Sequence, residues 1–194
     1  MTKTTQLKLI NLKSIGKIKK DKIINSFVGG SYTSKEAYRI GGIGIGGLRY
    51  MNGNKDVDGY KKRKLLPSNI EFFKDGLGFY LRDQEESYLL LIHDEEILNV
   101  SFEKKADRIR KKPGFSWFEL LHSKGISYHI CRMMLLDGEI DELYDAFLKV
   151  ITKDLDEINF QCHRKNVLKM KSFFEESPYH EIFTSDYATY EYVE

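Results

Sequence analysis

Lysine and arginine in short, dense runs carry the strongest chemical signal in this sequence. Clustered positive charge attracts phosphates, lipid headgroups and acidic protein surfaces. One run holds Lys13, Lys17, Lys19, Lys20 and Lys22, interleaved with Leu12, Ile15, Ile18, Ile23 and Ile24. A second is Lys61-Lys62-Arg63-Lys64, directly before Leu65-Leu66-Pro67. A third holds Lys104, Lys105, Arg108, Arg110, Lys111 and Lys112 and ends at Pro113-Gly114. The expected anion-binding residues are Lys17, Lys19, Lys20, Lys61, Lys62, Arg63, Lys64, Lys104, Lys105, Arg108, Arg110, Lys111 and Lys112. The competing reading is that these runs are solvated surface loops.

Other constellations are weaker. Gly42, Gly44 and Gly47 form a G-x-G-x-x-G spacing, which in a dinucleotide site follows a strand and opens a helix. Here Leu48-Arg-Tyr-Met-Asn-Gly-Asn follows, with turn chemistry rather than helix chemistry, so a close-packed glycine hairpin or helix-packing face is the simpler reading. A third reading has Ile40, Ile43, Ile45 and Leu48 dipping into a membrane interface. No phosphate-binding G-x-x-x-x-G-K-[ST] is present. His129 and Cys131 fall two apart, and Cys162 and His163 are adjacent, but neither C-x-x-C nor H-E-x-x-H occurs, so no metal site is expected. Asp94-Glu95-Glu96 and Glu85-Glu86 fall at turns, and there is no G-x-S-x-G nucleophile elbow. None of these constellations supports a catalytic or cofactor site.

The charge balance sharpens the basic signal. The 194 residues hold 31 basic and 29 acidic side chains, a net +2. Residues 1–64, however, hold 15 basic against 4 acidic, a net +11, and the remainder is net −9. An apolar fraction of 41% supports one core, or a core with a satellite, and argues against a disordered chain. No apolar run approaches the ~18 residues of a membrane-spanning helix. Met1-Thr-Lys-Thr-Thr has no apolar leader, and a cytosolic chain would keep both cysteines reduced. The expected location is therefore cytoplasmic, with peripheral membrane attachment compatible.

These groups need a scaffold, and the spacing of apolar residues suggests one. Ile70–Phe73 and Leu77–Leu81 flank Lys74-Asp75-Gly76, a hairpin signal. Tyr88–Ile92 reads as a strand covered on both faces, and Ile97–Phe102 as another. Phe115–Leu121 and Ile126–Met134 read as two more, which puts Trp117 in the core. Then Ile140, Leu143, Tyr144, Phe147, Leu148, Ile151, Leu155 and Ile158 recur at three- and four-residue steps, predicting a helix over 138–158 with Asp137 as its N-cap. A shorter amphipathic segment at 164–176 stops before Ser177-Pro178, and the tail 186–194 reads either as an edge strand or as loose.

From Pro67 to about Ile158 the chain resembles a bacterial pleckstrin-homology-like or GRAM-type domain. The resemblance rests on the strand meander, the Lys74-Asp75-Gly76 turn, the run Glu96-Ile-Leu-Asn-Val-Ser-Phe102 and the closing helix from Asp137. It implies an α+β fold: a bent antiparallel sheet or partly open barrel of six to seven strands, capped by that helix. The domains would be a basic glycine-rich segment 1–66, the PH-like domain 67–160, and a helical extension with an acidic tail 161–194. The implied function is a non-enzymatic binding module, without a cofactor, for anionic lipid surfaces or an acidic protein partner. In lipid-binding members basic residues flank the first hairpin loop, whereas here that loop is only Lys74-Asp75-Gly76, so anionic contact would fall to residues 61–64 and 104–112. Nucleic acid is the alternative partner, with Phe115, Trp117 and Phe118 near the third run offering stacking. A protein-interaction module using a sheet edge or the tail is a further alternative.

Overall fold

The computed structural model describes residues 7–14, 21–39, 42, 44–84, 86–111, 113–135, 139–163 and 166–193, excepting the side chains of Ser14, Tyr38, Arg39 and His129. The first strands are β1 (Leu7–Asn11), β2 (Gly44–Asn52), β3 (Leu66–Phe73), β4 (Gly76–Asp83), β5 (Glu86–His93) and β6 (Ile97–Lys104). They are followed by β7 (Asp107–Arg110), β8 (Ile140–Glu142), β9 (Ala146–Thr152), β10 (Glu157–Cys162), β11 (Phe183–Tyr187) and β12 (Tyr190–Val193). The helices are α1 (Lys22–Val28), α2 (Ser34–Arg39), α3 (Lys55–Tyr60), α4 (Trp117–Ser123), α5 (Tyr128–Cys131) and α6 (Val167–Glu175). The chain divides into two compact units, one of Met1–Phe102 with Ala146–Ser185 and one of Glu103–Asp145 with Asp186–Glu194.

The first unit is built on an open nine-stranded sheet of order β1-β5-β4-β3-β2-β10-β9-β6-β11. The Lys74-Asp75 turn brings β3 and β4 together with Phe73 opposite Gly76. Gly76 is needed for closeness rather than for turn geometry, since a Cβ there would strike the Ile92 carbonyl and Val28. In β3, Leu66, Ser68, Ile70 and Phe72 alternate inward, as a half-buried strand requires. Phe79 of β4 stacks on Phe160 of β10, with centroids 4.4 Å apart. Leu89–Ile92 of β5 are fully buried because both faces are covered: Leu89 and Leu91 pack with Ile10, Ile24, Val28 and Phe73 in the cluster to which α1 contributes. Asp21 caps α1, accepting from the N–H groups of Ile23 and Ile24. Helix α6 buries Val167, Met170 and Phe174, and Phe173 stacks on Phe72 at 4.2 Å.

The second unit is a three-stranded sheet of order β12-β7-β8 with α4 and α5. β7 pairs antiparallel with β8 and parallel with β12, so the tail enters a sheet. The core is small: Ile109, Phe118, Tyr128 and Cys131, ringed by Leu121, Leu135 and Tyr190. Tyr128 stacks on Tyr190 at 5.1 Å and Phe118 meets Tyr190 edge-on at 5.2 Å.

Three expectations are overturned. The six- to seven-strand sheet or partly open barrel with a closing helix is not the architecture: the described residues form twelve strands in two sheets and no closed barrel. The stretch expected as helix 138–158 supplies β8, β9 and the first two residues of β10 instead. Ala146, Leu148, Val150 and Thr152 are buried on one face of β9, a period of two that β-branched and aromatic residues favour. Phe147 and Leu155, which completed the helical stripe, are exposed. Finally, Phe115–Leu121 and Ile126–Met134 are not strands. Ser116 accepts from the Glu119 N–H and starts α4, which buries Phe118 and leaves Trp117 exposed.

Candidate functional site

The second basic run lies between α3 and β3 of the first unit. Asn54 caps α3 by accepting from the Val57 N–H at 3.1 Å. Asp58 then accepts from the Gly53 N–H at 2.9 Å and the Tyr50 hydroxyl at 3.1 Å, and pairs with Lys61 at 2.7 Å. Burial works against ionisation of Asp58, but the hydrogen bonds from Lys61, Gly53 and Tyr50 outweigh it and lower its pKa. Burial, with the charge of Asp58, pushes the Tyr50 hydroxyl well above its usual value. Lys61 is thus turned inward; it also donates to the Met51 carbonyl and lies over the Tyr50 ring. The next residue is fixed through its backbone, since the Lys62 N–H donates to the buried Asp83 carboxylate at 2.7 Å. Held in this way, Lys62, Arg63 and Lys64 are exposed, with no ion pair to any described carboxylate.

The third run behaves differently, because its own unit supplies its counter-charges. Lys104 is only 5% exposed and pairs with the fully buried Asp107 at 3.0 Å. Arg108 on β7 faces Glu142 on β8 at 3.9 Å, Glu191 on β12 at 3.8 Å and Asp141 at 3.6 Å. Strand pairing causes this, since Arg108 is in register with both Glu142 and Glu191. Arg110 takes Asp141 through two nitrogens, at 2.9 and 3.2 Å. Lys111 reaches Glu119 only at 4.0 Å, and Lys105 lies over the Tyr144 ring. Lys17, Lys19, Lys20 and Lys112 lie outside the described residues. Of the expected anion-binding set, the structure therefore brings together Lys62, Arg63 and Lys64 as an open cationic turn. Lys61, Lys104, Arg108 and Arg110 are engaged internally.

Asp107 is the hub of the second unit. Its Oδ1 accepts from Lys104 Nζ at 3.0 Å and the Tyr144 N–H at 2.9 Å, and its Oδ2 from the Tyr128 hydroxyl at 2.8 Å. Arg132 stands 3.8 Å from Oδ2. Burial, then the hydrogen bond and charge of Asp107, raise the Tyr128 hydroxyl far above its usual range. Through these contacts one buried carboxylate ties β7 to Lys104 of β6, Tyr128 of α5 and the backbone before β9.

The glycine motif opens no helix. Gly44 and Gly47 lie in β2, which has a bulge between Gly46 and Leu48. Gly47, at φ +91, sits against the Asn166 side chain where a Cβ would be. Beside β2 is a groove of about 420 Å³ lined by Gly44, Ile45, Leu168, Lys169, Phe173 and Glu176. Cys131 is buried, its thiol on the Ile126 carbonyl at 3.3 Å, and Cys162 is buried in β10. Among the described residues no group of three or more His, Cys, Asp or Glu is disposed to hold a metal, and no helix is long and apolar enough to cross a membrane.

Of the aromatic residues offered for stacking, Phe115 and Trp117 are exposed and Phe118 is buried, whereas the strand reading puts Trp117 in the core. The signal was there: Ser116-Trp-Phe-Glu119 has the S-x-x-E spacing of a capping box, which would have started a helix and turned Trp117 outward. No family model matches the chain, and no curated protein or solved structure is significantly similar to it.

Proposed function

We propose that this chain is a non-catalytic binding module that docks on an anionic membrane surface through Lys62-Arg63-Lys64. The observation that supports this reading is the contrast between two basic runs. The 104–111 residues are largely matched by Asp107, Asp141, Glu142 and Glu191, whereas Lys62, Arg63 and Lys64 have no such match among the described residues. Internal hydrogen bonds to Lys61 and to the Lys62 backbone hold the turn, so little ordering is needed when the three side chains meet an anionic surface. Each basic side chain near such a surface contributes about 1 kcal/mol, so three together contribute about 3 kcal/mol, on the order of a hundredfold in partitioning.

The test is co-sedimentation with phosphatidylcholine vesicles containing phosphatidylserine, at low and high salt. The wild type binds at low salt and is released at high salt, while Lys62→Gln/Arg63→Gln/Lys64→Gln loses most of its binding with an unchanged circular dichroism spectrum. Salt-independent binding, or wild-type affinity in the triple variant, overturns the proposal. A salt-sensitive gel shift on nucleic acid without vesicle binding would transfer the site to a nucleic-acid partner.

A further inference from the structure

The second unit carries an exposed apolar surface that its own fold does not use. Phe115 is 71% exposed and Trp117 59%, their rings edge-to-face with centroids 5.0 Å apart. The turn before them is open: Pro113 and Gly114 are exposed, and a Cβ on Gly114 would meet no atom within 4 Å. Helix α4 shows why the rings face outward. Its Phe118 fills the small core, which leaves Trp117 and Leu120 on the other side. Ile130 of α5 and Met133 and Met134 of the following 3-10 turn (Arg132–Met134) are exposed too, on elements that pack against α4. A soluble monomer rarely exposes so many large apolar side chains in so short a stretch without a contact to make.

Charge indicates the occupant. The aromatic pair follows Lys111, whose side chain is 68% exposed, and precedes the exposed Lys124. Lys111 has its nearest carboxylate at the 4.0 Å limit of an ion pair, a contact easily exchanged for a phosphate. Aromatic rings flanked by lysines match the boundary between acyl chains and anionic headgroups, where Trp is favoured and long cationic side chains reach the headgroups. The rings stand on an open turn and not in a groove, so they need a yielding surface rather than a shaped pocket.

We infer that Phe115 and Trp117 enter the interfacial layer of an anionic bilayer, as an apolar anchor carried by the second unit. This rests on the membrane reading above, and the experiment separates the two. Trp117 is the single tryptophan of the chain, so its emission reports this residue alone. With phosphatidylserine-containing vesicles its emission shifts to the blue, becomes protected from acrylamide and is quenched by lipids brominated on the acyl chain. Phe115→Ala/Trp117→Ala binds the same vesicles about tenfold more weakly, with an unchanged circular dichroism spectrum, because two partly inserted rings are lost. Vesicle binding with Trp117 still water-exposed and the double variant unimpaired overturns the anchor and leaves the electrostatic contact standing. Absence of any vesicle binding overturns both.

Discussion

Removing the Asp107 carboxylate should cost far more than removing its lysine partner. Asp107 and Lys104 have side-chain exposures of 1% and 2%, so both charges are withdrawn from water. Asp107→Ala abolishes the acceptor for Lys104 Nζ, the Tyr144 N–H and the Tyr128 hydroxyl, and leaves Lys104 buried without its counter-charge. Breaking a buried pair from that side costs about 3–5 kcal/mol. Lys104→Met is different. The carboxylate keeps Tyr128, the Tyr144 N–H and Arg132, and the lost contacts are the pair itself plus bonds to the carbonyls of Lys105, Ala188 and Thr189, two of them long at 3.4 Å. That loss is about 1–2 kcal/mol. With only four fully enclosed side chains in its core cluster, the second unit has little apolar burial to absorb either change. Peptide-resolved hydrogen exchange across residues 107–110 and 190–193, with urea unfolding of the intact chain, measures both. Asp107→Ala should speed exchange there at least tenfold more than Lys104→Met. Equal effects, or a costlier Lys104→Met, would refute the reasoning.

Three further outcomes follow from local geometry. Glu36 and Thr33 cap α2 reciprocally, and hydrogen bonds from Thr33, with Lys74 next, hold the Glu36 carboxyl down at about 2. Its folded pKa lies below the unfolded value, so its stabilisation is complete above the ordinary carboxylate range and disappears as pH falls toward 2; carbon-13 titration of Glu36 should show a midpoint near 2. Gly53 has φ +118 and lies against the Glu157 carbonyl, so Gly53→Ala should cost at least ~1–3 kcal/mol in thermal unfolding, and an unchanged melting temperature would contradict the close approach of β2 and β10. Phe160→Ala removes the ring that stacks on Phe79 and meets Tyr50, and should cost ~3–5 kcal/mol in urea unfolding.

Elements whose signal is local were legible. The β3–β4 turn, the doubly covered β5 and the amphipathic α6 each follow from residues within a few positions of one another. β9 was misread because Phe147 and Ile151 on its other face are also apolar, so one run satisfies both a helical and a strand period. The start of α4 is marked by Ser116 and Glu119, whereas α5 has no side-chain cap at Ser127 to distinguish it from a strand. In the candidate site, the exposure of Lys62–Lys64 could be read from a polar run before a strand. The internal engagement of Arg108 could not, because it depends on Glu142 and Glu191, which only the pairing of β7 with β8 and β12 brings alongside. Lys104 was legible as a charge but not as a buried one, since its enclosing carbonyls come from Ala188 and Thr189.

The parallel pairing of β12 with β7 has a consequence for the order of synthesis. Residues 103–145 leave the ribosome well before Tyr190–Val193, so β7 first meets β8 alone and presents its other edge unpaired. Until Ala188 and Thr189 arrive, the Lys104 ammonium also lacks two of its acceptors, and Arg108 lacks Glu191. The nascent second unit is a half-finished sheet with an open edge, vulnerable to pairing with another chain. Its final strand both completes the sheet and closes that interval.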